Sequence, residues 1–211
     1  MKSEIKTADQ PKPSFIEIAR RAQIIECAID AIAELGFAQA SLAQIAKRAG
    51  ISTGVILYYF AGKDELIRAV SDHVYATGEG FVRRKAEQQE TARQALLDTF
   101  IGATVDFIGA YPNYSHALMN IARSGRREPG ERLIDPALNA AREAGLASIL
   151  RWGKESGEFR PFSTPVMVAS IIDSIDAILP QLVRDPNLDL KAYARELVEL
   201  FDRATRADSP G

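Results

Sequence analysis

Between Ser41 and Lys63 the chain gathers short hydrogen-bonding side chains (Ser41, Gln44, Ser52, Thr53), two adjacent phenols (Tyr58, Tyr59) and an ammonium (Lys63) at helical spacing. These groups can donate to phosphate oxygens and meet the polar edges of bases, whereas none is a nucleophile paired with a base. Their chemistry is recognition. Ser41, with Gln44 three residues on, has the form of a capping box, in which hydroxyl and amide satisfy backbone N–H groups left open by a first helical turn. Leu42, Ile45, Ala46 and Ala49 follow at three-to-four spacing, while Gln44, Lys47 and Arg48 face the other way. Gly50 is placed to end this helix in the left-handed conformation, Ile51 to fill a corner, and Ser52 to cap a second short helix. Thr53, Gly54 and Val55 at its start are small enough to approach base edges in a major groove, and Tyr58, Tyr59 and Lys63 are placed to hold phosphates.

Other chemistry finds little material. The two histidines, His73 and His116, lie on different segments, with no metal-ligand spacing and no nucleophile motif around them. Neither a metal nor a cofactor is expected. Asp173 and Asp176 stand at i, i+3 in an apolar helix and could in principle ligate a cation, but a dimer-edge or solvent position suits them better. Cys27 is the sole cysteine, so an intrachain disulfide is impossible, and it reads as a small core residue. Arg20, Arg21, Lys47 and Arg48 read as a solvated helix face with occasional phosphate contacts.

The elements around the motif form an all-α chain of about nine helices. Ser14 and Glu17 make another capping box for a helix over 15–35, whose stripe Ile18, Ala22, Ile25, Ala28, Ile29, Ile32 and Leu35 ends at Gly36. Asp64 and Glu65 favour the positive start of a fourth helix, with Leu66, Val70 and Val74 inward, and Gly78 and Gly80 interrupt it. A helix from Ala95 to Tyr111, apolar nearly all round, belongs in the middle of a bundle. Pro112 ends it, a short helix covers 114–122, and Ser124 to Glu131 reads as a loop. Asp135-Pro136 opens a helix to about Gly153, Thr164-Pro165 opens another, and a last helix spans about 188–206. With 211 residues, 46% of them hydrophobic, the chain can bury a sizeable core. Its net charge is −2, divided as +2 over residues 1–63 and −4 over the rest, a mildly basic head on an acidic body. No run reaches the ~18 apolar residues of a membrane span, and the polar start has no signal-peptide core; a cytoplasmic, membrane-free protein is expected.

At Ile45-Ala46, Ala49-Gly50-Ile51-Ser52, Gly54, Tyr59-Phe60, Lys63 and Leu66 the chain resembles the tetracycline-repressor (TetR) family of bacterial transcription regulators, over Ile24 to Val70. Residues 1–13, polar with Pro11 and Pro13, read as a flexible arm bearing Lys2, Lys6 and Lys12, and 208–211 as a tail; the resemblance implies a DNA-binding head at 14–63 and a ligand-binding and dimerisation body at 64–207 with a linking helix at 64–78. It implies a homodimer on a palindromic operator of double-stranded DNA, released by a small-molecule effector. Candidate pocket residues are Phe100, Thr104, Phe107, Tyr111, His116, Met119, Arg123 and Trp152. The final two helices are the expected dimer face, through Ile171, Ile175, Ile178, Leu190, Ala194, Leu197 and Phe201. One position departs from the family pattern: Leu57 stands where most relatives have tyrosine. A sensing module without operator binding, or a cofactor-free enzyme using the body pocket, are the alternatives.

Overall fold

The computed structural model describes residues 14–86, 89–124 and 134–207. The expected arm, the tail and most of the 124–131 loop fall outside them. Within the described residues nine helical rods follow one another. They are α1 (Phe15–Leu35), α2 (Leu42–Ala49), α3 (Thr53–Tyr59), α4 (Lys63–Ala86), α5 (Ala92–Gln94 running on through Ala95–Ala103 and Thr104–Ala110), α6 (Pro112–Ser124), α7 (Pro136–Glu155), α8 (Thr164–Asp176 continued by Ile178–Arg184) and α9 (Leu190–Thr205). The only extended pairing among them is an isolated bridge between Phe159 and Arg206, which ties the α7–α8 connection to the end of α9.

Local chemistry sets the ends. Ser14 and Glu17 close a full capping box, with the Ser14 N–H donating to Glu17 (2.7 Å) and the Glu17 N–H to the Ser14 hydroxyl (3.3 Å). Ser41 forms only half of one: its hydroxyl accepts from the Gln44 N–H, while its own N–H donates to the Gln39 carbonyl, so the Gln44 amide is not needed as a cap. Gly50 takes φ +66°, the left-handed conformation that side chains resist, and turns the chain from α2 to α3. Asp135 caps α7 through the Ala137 N–H at 2.8 Å, just ahead of Pro136.

Two sequence expectations give way. Gly78 and Gly80 do not interrupt α4, which runs unbroken to Ala86. A Cβ at Gly78 would sit 3.3 Å from the Phe107 ring, so the glycine makes room for an aromatic side chain of α5. The linking helix is accordingly longer than 64–78. In α5 the stretch Ala95–Ala103 is π-helical, nine residues wound more widely than an α-helix. It is largely buried between α4 and α9, and only Asp98 and, in part, Gly102 reach solvent.

Two clusters of buried residues result. One joins head and body: Ile24, Ala28, Ile29 and Ile32 of α1, Ile45 and Ile56 of the helix pair, Leu66, Ile67 and Val70 of α4, and Phe107, Ala117 and Ile121 of the body. The other is confined to the body, where Leu96, Leu97, Phe100 and Ile101 meet Leu146, Leu150, Ile171, Ile175, Leu197 and Phe201. Gly153 is part of that second fit, because a Cβ there would fall 2.1 Å from the Phe159 ring.

Candidate DNA-binding interface and effector body

The head presents α3 outward on a base formed by α1, α2 and α4. Ile56 and Phe60 are buried at 0% and 1% exposure and anchor α3 from beneath. Ser52 caps it, its hydroxyl accepting from the Val55 N–H, and lies exposed with Gly54; Thr53 and Val55 are half-buried at its rim. Ser41 and Gln44 are exposed at the start of α2. Tyr58 stands out at 74% exposure, whereas Tyr59 is half-buried against the core, its ring edge-on to Tyr58 at 5.0 Å.

The basic side chains divide by role. The Arg21 guanidinium donates to the carbonyl of Tyr59 (2.7 Å), covers the Phe60 ring at 4.1 Å and stands 3.7 Å from Glu65, so it closes the C-terminal end of α3 against α1 and α4. That carbonyl is one of those a helix end leaves open. Arg48 pairs with Glu34 and lies 3.9 Å from Asp30; beside Glu34 its guanidinium holds its proton even more firmly than usual. The Lys63 ammonium donates to the Phe37 carbonyl (2.8 Å) and lies 4.5 Å above the Phe37 ring, which fixes the α1–α2 connection.

A polar seam, not apparent in the sequence, fastens the head to the body. α6 lies along α1, and Glu26 of α1 accepts hydrogen bonds from the Tyr114 hydroxyl of α6 (2.6 Å) and from His73 Nε2 of α4 (2.9 Å). Burial, together with the Glu26 carboxylate, pushes the Tyr114 phenol far above its ordinary pKa and keeps it a donor. Asn113 donates to Asp30 (2.9 Å) and Asn120 to the Ile32 carbonyl (3.0 Å) in the same seam. Glu26 and Tyr114 are 88 residues apart in sequence, so no local spacing could have announced the pair.

The expected pocket residues are divided rather than gathered. Phe107 and Tyr111 stack with Phe81 and Tyr114 in a chain of rings whose centroids lie 5.0–6.4 Å apart, a filled cluster at the head–body seam. Phe100 belongs instead to the body cluster, and the Thr104 hydroxyl is turned back onto the Phe100 carbonyl. His116 and Met119 are half-buried, while Arg123 and Trp152 are exposed. Two open hollows among the described residues, of about 420 and 310 Å³, are lined around Arg151 to Pro161 and around Ala61 to Arg68; neither takes in a pocket candidate. Thr99 was not foreseen: its hydroxyl is buried beside the body core without a partner among the described residues.

The expected dimer residues need correction. Ile171, Ile175 and Ile178 are wholly buried and Leu197 and Phe201 nearly so, all in the chain's own body cluster; Leu190 and Ala194 pack half-buried against it. These inward faces hold the chain's own body together, because α9 lies on α5. What α8 turns outward is Val166, Ala169, Ser170, Asp173, Asp176, Pro180 and Val183, beside Ala141, Ala144, Gly145, Ser148 and Trp152 of α7. Asp176 accepts from Arg142 of α7 at 2.8 Å and so closes the α7–α8 pair. The 21 residues Thr164–Arg184 are long and apolar enough to cross a membrane, yet only 28% of their most apolar window is buried.

A short outward helix on a three-helix base is the arrangement of a helix-turn-helix head, here attached to an all-helical body. Residues 24–70 match the family of bacterial regulatory proteins described as the tetR family. The chain is 41% identical over 83 residues to HTH-type transcriptional regulator BetI 1 of Chromohalobacter salexigens, a match covering 37% of this chain and 41% of that relative. The chain thus aligns with less than half the length of that protein. Across the whole backbone it resembles transcriptional regulator FadR from Bacillus subtilis solved with stearoyl-CoA, at a TM-score of 0.71, 25% identity and coverage of 85% of this chain and 96% of that one. A protein described as a transcriptional regulator from Saccharomonospora viridis, solved with choline, superposes at a TM-score of 0.80 with 16% identity, covering 90% of this chain and 100% of that one. That last likeness is one of fold alone.

Proposed function

We propose that the chain is a transcriptional regulator of the cytoplasm that binds a palindromic operator as a homodimer and is released from it by a small molecule held in the body. The observation that carries this reading is α3 itself: a capped helix with Ser52, Thr53, Gly54 and Val55 at its open end and Tyr58 exposed beside them, on a base that leaves its outer face to solvent. Side chains of these kinds contact base edges from the major groove while hydroxyls and ammonium groups position the frame on phosphates. One head offers few cations beyond those used internally, so a single copy binds weakly. A pair related by a two-fold axis meets successive grooves when the two α3 helices lie about 34–36 Å apart. The outward face of α8, around Val166, Ala169, Pro180 and Val183, with the small residues of α7 is the surface we assign to that pairing, in place of the inward residues.

For release, we place the effector near the aromatic cluster of Phe81, Phe107, Tyr111 and Tyr114. A ligand wedged between α4 and α6 there would part rings now in contact and pull on the Glu26 seam that fixes α1. Support comes from the two similar folds solved with stearoyl-CoA and with choline. Such a ligand acts only through its preference for the spread conformer, so operator DNA must weaken ligand binding by the same factor. The test is a mobility-shift titration of the full chain against DNA from upstream of its own gene and a shuffled duplex of equal length. Preferential shift of the upstream duplex is expected; equal affinity would set the reading aside in favour of a sensing module without an operator.

A further inference from the structure

Leu57 is half exposed on α3, at 50%, although the residue before it is wholly buried. It follows Thr53 by four residues and Gly54 by three, so all three share one face of the helix. A leucine in a helix leans back toward the N-terminus, over the preceding turn. Here that turn is Gly54, where the place of a Cβ has only the Ser52 hydroxyl nearby, at 3.6 Å. Nothing lifts the isobutyl group away from whatever Thr53 and Gly54 approach.

An isobutyl group cannot bond a phosphate oxygen, and laid against polar base edges it would strip them of water without replacing the hydrogen bonds. The single apolar group that base pairs offer in the major groove is the C5-methyl of thymine. Tyr58, next along and 74% exposed, already carries a phenol for the backbone. We propose that Leu57 is a specificity-determining residue that reads a thymine methyl group by van der Waals contact. The inference rests on the DNA-binding reading above.

The test uses the full chain. Duplexes enriched from random-sequence DNA are resynthesised with each thymine in turn replaced by deoxyuridine, which removes only the methyl group, and bound to the wild type and to Leu57→Ala. In each half-site one thymine should weaken wild-type binding about fourfold when its methyl is deleted, the effect of withdrawing one such group from apolar contact. Leu57→Ala should bind the thymine and deoxyuridine duplexes equally at that position. Wild-type binding indifferent to every replacement, or a Leu57→Ala protein as sensitive as wild type, overturns the proposal. If selection enriches no sequence at all, the DNA-binding reading itself fails, a result distinct from either.

Discussion

Head and body are built from the same material, helices with apolar faces, yet they hold together differently. In the head each element has one inward stripe, and its polar groups are engaged one by one: Ser14, Ser41 and Ser52 as caps, Arg21 on the end of α3, Lys63 on the α1–α2 connection. The body is wrapped around α5, a rod buried on nearly all sides and wound as a π-helix through its middle. The head thus leaves the outer surface of α3 open, and the body is a packed bundle in which, among the described residues, the Thr99 hydroxyl is buried without a partner. Under the function proposed above, the head would read DNA and the body would admit a ligand, so the two ends would do different work. The seam of Glu26, His73 and Tyr114 is where one must act on the other.

The largest break in this contrast comes from Phe60, which is 1% exposed beneath α3. Phe60→Ala should cost about 3–5 kcal/mol, the range for emptying a buried aromatic site, and lower the thermal midpoint in a calorimetric scan. Because Phe60 shares its cluster with Ile121 and Phe107, α6 should lose protection from hydrogen exchange together with the head.

Next in size is a contrast between two cations of the head. Arg21→Ala removes a charge-assisted bond to the end of α3, and with the side chain 40% exposed the cost should be about 1 kcal/mol. Preference for operator over random DNA should fall while the dependence on salt stays the same. Lys63→Ala should weaken binding to every sequence alike and flatten the salt dependence by about one unit of slope. An Arg21 variant with a flattened slope would make it a phosphate contact instead.

The seam should yield a comparable loss of stability, read away from the DNA-facing surface. Tyr114→Phe deletes the hydroxyl that donates to Glu26 at 2.6 Å, at a cost of about 1 kcal/mol. Faster amide exchange along α1 with α9 unchanged is the expected signature; uniform exchange across both would mean the seam does not join the regions.

Smallest is the acid response of the body. Hydrogen bonding from Arg93 holds the Asp202 carboxyl below its ordinary 3.8, so this contact contributes stability at neutral pH that is lost as pH falls below that value toward the folded-state pKa. Asp202→Asn should make thermal stability fall less steeply with acid below pH 3.8 than in the wild type. An unchanged slope would show the pair to be without consequence.

Much of the head could be read along the chain because its signals are local: caps three residues from their partners, Gly50 at a turn, apolar residues at three-to-four spacing. The short and exposed positions of α3 were legible for the same reason. The body resisted where function depends on contacts between distant segments. The choice of Ile171, Ile175 and Ile178 as a dimer face failed because an apolar helix in a bundle has two apolar sides, and the stripe does not say which of them meets the chain's own core. Gly78 misled in a related way, since its purpose is to admit Phe107 from another helix. Arg21 looked like one more solvated charge until Tyr59, 38 residues away, was seen to need it.

The claim that two heads act as a spaced pair is tested most directly by lengthening the operator. With half-sites taken from enriched duplexes, five base pairs inserted between them turn one recognition surface about half a helical turn from the other. Two chains should bind the parent duplex together, and the insertion should cost the full chain most of its preference over random DNA, with ten inserted pairs restoring part of it. Equal affinity for the parent and the five-pair insertion would contradict the account and leave each head as an independent binder.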